Sequence, residues 1–120
     1  MIFLYRILTF FLFPVFILIT FIRRFTDKED KIRFKEKIFI DKPFFPKNKK
    51  VFWIHAASIG ETNSVLPLIK RLIKNNKEIF ILLTSTTLSS SQLIDKKKIS
   101  HDNFLHHFFP LDVQFIVKKF

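Results

Sequence analysis

Residues 51–84 read VFWIHAASIGETNSVLPLIKRLIKNNKEIFILLT, and the change of hydrophobic period along them decides the fold class. Val51 to Ala56 (VFWIHA) is a short, nearly continuous apolar run. That is the pattern of a parallel strand buried on both faces, and it is too short for a buried helix. Ser58 to Thr62 supplies a polar turn. Val65, Leu66, Leu68, Ile69, Leu72 and Ile73 then recur at helical spacing, with Lys70, Arg71 and Lys74 between them, until Asn75 and Asn76 end the run. Glu78 to Thr84 (EIFILLT) is a second buried strand.

Downstream come a Ser/Thr-rich turn from Ser85 to Ser91, a helix over about 89–98 and a third strand near Phe104 to Phe109. Strand, helix, strand, helix, strand predicts a parallel sheet with right-handed crossovers, and such sheets bind ligands at the carboxyl ends of their strands. The sequence stops at Phe120, inside what reads as the helix after the third strand, so half of a normal sheet is expected to be missing. Upstream, Asp41 to Lys50 holds Pro43, Pro46, Asn48 and a lysine cluster, a linker composition. The expected class is α/β, an N-terminal membrane helix followed by a partial doubly wound parallel sheet. Its segments are an anchor over 1–22, a basic juxtamembrane stretch and linker over 23–50, and a partial Rossmann-like domain over 51–120.

The anchor follows from Ile2 to Ile22, which is apolar apart from Tyr5, Arg6, Thr9 and Thr20 and is about as long as a helix needs to cross a hydrocarbon core. Arg6 lies near one end and can snorkel to the headgroups. Pro14 removes one backbone hydrogen bond and predicts a kink, which leaves spanning and interfacial insertion both open. A cleaved signal peptide is the competing reading, against which stand the lack of a strongly basic start and of a small-residue cleavage site before Arg23. Arg23, Arg24, Lys28, Lys31, Arg33, Lys35 and Lys37 follow, and by the positive-inside rule they place the rest of the chain in the cytoplasm. This stretch reads as a solvated helix face with pairs such as Asp27 with Lys31 and Arg33 with Glu36, and also as a surface for anionic lipid.

Across all 120 residues, 21 Lys and Arg stand against 10 Asp and Glu, a formal charge of +11. The balance excludes an ordinary neutral soluble domain and favours polyanionic partners: phospholipid headgroups, nucleic acid or phosphorylated substrates. The absence of cysteine excludes a disulfide framework, a thiolate metal site and a catalytic thiol. One Gly and 18 Phe, with abundant Lys, Ile and Asn, suggest drift toward A/T-rich codons, so part of the lysine excess carries no functional weight. A single glycine also excludes the Walker A and G-x-G-x-x-G loops.

Chemistry concentrates in the loop after the first strand, His55 to Thr62 (HAASIGET). Ser58 three residues before Glu61 is the capping-box spacing, in which the two side chains satisfy backbone donors at a helix start. The functional reading makes Glu61 a general base open to a cleft. Gly60 then lets an acceptor approach the backbone, and the positive end of the helix favours anions. Spacing alone leaves both open. His101, His106 and His107 lack the carboxylate spacing of a metal site and read as exposed or strand-end histidines, so no metal is expected. Ser85 to Ser91 reads as a solvated turn, having no nucleophile elbow or paired base.

The stretch WIHAASIGETNSVLPLIKRL, residues 53–72, is similar to the signature of bacterial 3-deoxy-D-manno-octulosonic acid (Kdo) transferases, an H-x-x-S-x-G-E-T pattern directly after a strand. Further resemblance lies in the apolar anchor, Arg33 and Glu36, Thr84 and Thr87 after the second strand, and His106 to Asp112 (HHFFPLD), in the family's order. Departures are Phe39, where the family usually has Gly, and Leu88 to Ser90 in place of Pro-Thr-Gly.

The resemblance implies the N-terminal half of a two-domain GT-B glycosyltransferase that moves Kdo from CMP-Kdo to a lipid A precursor in lipopolysaccharide core synthesis, without metal or other cofactor. Glu61 would be the base, and Ser58, Gly60 and Thr62 would shape the acceptor pocket. The resemblance implies the lipid A precursor as acceptor, and leaves open whether the chain is truncated or is completed by a separate C-terminal chain. The charge pattern adds anionic membrane lipids as partners, nucleic acid is not expected, and the expected location is the cytoplasmic face of the inner membrane. The family's second acidic site residue and its CMP-binding domain are expected beyond Phe120, so the chain alone is expected to be incomplete and inactive. Two alternatives are a membrane-anchored basic binding module and an inactive transferase remnant. Against the first, the phenylalanines fall in strands or the anchor rather than on a basic face, and the signature loop goes unexplained.

Overall fold

A computed structural model describes residues 2–38, 43–99, 102–113 and 116. Phe39, His101, part of the expected linker and most of the segment expected to form a helix after the third strand lie outside them. The elements are α1 (Ile2–Phe25), α2 (Lys35–Ile38), β1 (Lys50–Ala56), α3 (Ile59–Asn75), β2 (Ile79–Ser85), α4 (Leu88–Lys96) and β3 (Phe104–Phe108). They fall into two compact units, Met1–Lys42 with Pro110–Phe120, and Pro43–Phe109.

In the first unit, α1 runs through Pro14 for 24 residues, about 36 Å at the helical rise and more than the roughly 30 Å of a hydrocarbon core. It is long and apolar enough to cross a membrane. The two threonine hydroxyls inside the apolar run are satisfied within the helix: Thr9 Oγ1 donates to the Tyr5 carbonyl at 3.0 Å and Thr20 Oγ1 to the Phe16 carbonyl at 2.8 Å. Neither leaves an unmade hydrogen bond to face lipid.

Helix α1 takes in Arg23 and Arg24 but stops at Phe25, short of the helix face the sequence suggested for the rest of the basic stretch. Asp27 takes a positive φ of 54°, the left-handed turn that ends helices, and the Lys28 amide reaches back to the Arg23 carbonyl at 2.9 Å. Residues 26–34 are turns, and only the short α2 follows. The two expected ion pairs form there nonetheless, Lys31 with Asp27 at 2.9 Å and Arg33 with Glu36 at 2.7 Å.

In the second unit the strands form one parallel sheet in the order β1-β2-β3. Being central, β2 is buried at every position. Leu66, Ile69 and Ile73 of α3 recur on one helix face and close a core with Ala56, Ile79, Ile81, Leu83 and Ile94. Each Leu and Ile among them contributes on the order of 1.5–3 kcal/mol by leaving water. Leu68, counted with that stripe from spacing, points away and is 53 % exposed.

Two sequence expectations are corrected here. The first strand is not buried on both faces: Val51, Phe52 and Trp53 are 43 %, 49 % and 56 % exposed, and because successive side chains alternate in direction, both faces of β1 are open along its first half. Of the two alternatives for His106 and His107, the exposed one fails: both are buried, in the second half of β3 as the strand-end alternative had it, with His106 Nε2 2.8 Å from Ser85 Oγ and His107 Nδ1 2.6 Å from the Phe108 carbonyl.

Candidate functional site

Strand register brings Ala56, Ser85 and Phe108 level, so the three strands end together and the β1–α3 and β2–α4 loops emerge side by side. Ser58 is the N-cap of α3. Its backbone is extended (φ −119°, ψ 162°) and its Oγ accepts from the Glu61 amide at 3.2 Å. The Glu61 carboxylate reaches back, but to the amide of Ala57 rather than of Ser58, at 2.8 Å to Oε2. The capping pair forecast by spacing is therefore present, displaced by one residue on its return arm.

The neighbouring loop braces this turn. Thr86 Oγ1 donates to the Ala57 carbonyl at 2.5 Å, so Ala57 is held at both its amide and its carbonyl. Thr87 in turn caps α4, its Oγ1 accepting from the Ser90 amide at 3.2 Å, and Leu88 to Ser90 form that helix's first turn. Beneath lies Thr84, fully buried, in contact with Trp53 Nε1 and His55 Nδ1, both at 2.9 Å. Phe109 lies against Trp53 and His55, with ring centroids 6.4 and 4.6 Å away. The helix start adds the positive end of a 17-residue dipole.

Of the four residues singled out from sequence, Ser58 at the N-cap and Gly60 and Glu61 in the first turn of α3 are exposed, and Thr62 is fully buried. Thr62 Oγ1 donates to the Ser58 carbonyl at 2.8 Å, holding the turn from within. Spacing gave no sign of the bracing by Thr86 or of the Thr84 cluster, since both depend on which loops the sheet sets together. The hints were the Ser/Thr density of residues 84–91 and the place of Thr84 and Thr87 in the family resemblance.

The fold does not require glycine at position 60. Its φ is not positive, and a Cβ there would meet only Ser58 Oγ, at 3.9 Å, an ordinary contact. Gly60→Ala is therefore expected to raise stability, by up to about 1 kcal/mol, by lowering the backbone entropy lost on folding. Denaturant unfolding of the detergent-solubilised protein checks this; a loss of stability would mean that glycine serves the fold.

A membrane-length helix and a parallel sheet that carries a braced carboxylate at the carboxyl end of its first strand define the class: an α/β protein with a polar site on its strand-end loops. Residues 32–120 match the family model described as 3-Deoxy-D-manno-octulosonic-acid transferase (kdotransferase), and the chain belongs to that family. It is 38 % identical over 119 residues to a 3-deoxy-D-manno-octulosonic acid transferase of Rickettsia bellii, covering 98 % of this chain and 27 % of that protein. The transferase of the same name from Aquifex aeolicus is 38 % identical over 84 residues, 66 % of this chain and 22 % of that one. A probable mitochondrial 3-deoxy-D-manno-octulosonic acid transferase of Arabidopsis thaliana is 31 % identical over 117 residues, 98 % and 26 % of the two chains. The chain thus spans about a quarter of the length of these relatives. No solved structure matches it significantly.

Proposed function

We propose that this chain is the anchored, acceptor-binding part of a GT-B glycosyltransferase that transfers Kdo from CMP-Kdo to a lipid A precursor. The observation that carries the reading is Glu61. Within the family-matched stretch, its carboxylate is pinned through one oxygen to the Ala57 amide on an exposed loop at the end of β1. A sugar hydroxyl is a poor nucleophile at neutral pH, and a carboxylate so placed takes its proton as the new bond forms. The acceptor oxygen bonds to the anomeric carbon of Kdo, the bond from that carbon to the CMP phosphate oxygen breaks, and CMP leaves with the electron pair. Ser58 and Thr62 shape and stiffen the turn, and Gly60 leaves room for the acceptor. The donor belongs to the second GT-B domain, within the part of the family that residues 1–120 do not span. The reading calls on no metal or other cofactor.

The test joins this chain, by fusion or as a separate polypeptide, to a family C-terminal domain and follows Kdo transfer to a lipid A precursor. Transfer that depends on both parts supports the reading. A C-terminal domain equally active without the chain contradicts it.

The same reading sets α1 in the inner membrane with the remainder on the cytoplasmic face, where a basic segment meets the negative potential of anionic lipid. Fractionation is expected to recover the intact protein with membranes, and a C-terminal topology reporter to score cytoplasmic. Intact protein in the soluble fraction would contradict this placement.

A further inference from the structure

Thr84 ties two side chains of the edge strand to one buried hydroxyl. Trp53 Nε1 can only donate, so at 2.9 Å it gives its proton to Thr84 Oγ1. The hydroxyl's own proton has two places to go: the Ile54 carbonyl at 3.4 Å or, when that ring nitrogen carries no proton, His55 Nδ1 at 2.9 Å. Hydrogen bonds from hydroxyls cluster well below 3.4 Å, so the imidazole is the better partner. Accepting at Nδ1 requires the neutral ring to carry its proton on Nε2. His55 is exposed as a residue, and Thr84 occupies its Nδ1, so in this tautomer the proton sits on Nε2, the ring nitrogen that Thr84 does not hold. The series Trp53 to Thr84 to His55 thus sets the tautomer of an exposed histidine two residues before the amide that holds Glu61.

We infer that His55 contacts the substrate, its Nε2–H donating to a hydroxyl oxygen of the acceptor sugar, while Thr84 and Trp53 are positioning residues that fix the tautomer. The inference rests on the acceptor-binding reading above. A hydroxyl suits this place better than a phosphate, since it can accept from an imidazole N–H and still donate to a carboxylate. A phosphate has no proton to give and is repelled by Glu61. A neutral donor also leaves the neighbouring carboxylate free to act as a base.

Imidazole nitrogen NMR of the full chain in detergent, at about pH 8 where an ordinary histidine is neutral, reads the tautomer directly. His55→Gln assigns the signal. The expected result is a dominant Nε2–H form in the natural protein, a shift toward the Nδ1–H form in Thr84→Val, and recovery in Thr84→Ser. A dominant Nδ1–H form, or a tautomer indifferent to Thr84→Val, overturns the inference; the natural protein alone decides should Thr84→Val not fold. Adding a lipid A precursor is expected to perturb His55 Nε2 together with the Ala57 and Ser58 amides, and Thr84→Val to weaken this binding about 3- to 10-fold. Perturbed amides with an unmoved His55 would sink the inference and leave the acceptor reading standing. With neither moved at saturating glycolipid, both fall. Inorganic phosphate reproducing the His55 change would overturn the choice of a hydroxyl.

Discussion

Glu61→Gln is expected to lower Kdo transfer by roughly 10²- to 10⁴-fold while leaving the fold in place. The structure makes this substitution unusually clean. Glu61 Oε2 serves as an acceptor for the Ala57 amide, at 2.8 Å, and a glutamine carbonyl oxygen can do the same. Glutamine is also a natural member of capping boxes, so the change in stability should stay near or below about 1 kcal/mol. What glutamine cannot do is take a proton. Ser58→Ala gives the opposite pattern: it removes the oxygen that accepts from the Glu61 amide, costs about 1 kcal/mol of stability, and keeps the proton acceptor. Transfer assays on the chain joined to a family C-terminal domain, paired with unfolding curves, separate the two roles. A Glu61→Gln protein that retains most of its transfer activity would leave the carboxylate with its capping role alone.

Much of the fold was legible because strand and helix periods are local properties. The run from Val51 to Ala56, the stripe of Leu66, Ile69 and Ile73, and the run Ile79 to Thr84 each became the element their period announced. Exposure was not local. Strand β1 has the composition of a strand buried on both faces, but its burial depends on what packs over those faces, and here Val51, Phe52 and Trp53 stay exposed. The end of α1 was missed for a different reason: Asp27 has no glycine's freedom, and its left-handed backbone gives only a weak sequence signal. At the site, the Ser58 and Glu61 pair could be read from a spacing of three. The Thr84 cluster spans residues about 30 apart, and only the register pairing His55 with Thr84 brings it together.

Charge in the unit that holds α1 and α2 was also misjudged in kind, and there lies the largest stability effect expected for this chain. Sequence treats Arg23 and Lys37 as members of a basic surface, yet both meet one carboxylate. Glu29, only 3 % exposed, accepts from Arg23 Nε at 3.2 Å and pairs with the Lys37 ammonium, whose side chain is 10 % exposed. Glu29 thereby fastens the last turn of α1 to α2, across the turns opened at Asp27. Removing one partner of a buried pair leaves the other charge in a poorly solvating environment, so Glu29→Leu is expected to cost about 3–5 kcal/mol. The double change Glu29→Leu with Lys37→Met removes both charges and fills similar volume, and should recover most of that loss. Arg23 keeps access to water at 47 % exposure and should add little to either figure. Unfolding of detergent-solubilised variants decides the matter. Equal losses in the single and double variants would show that the carboxylate stabilises the unit through something other than its pairing with Lys37.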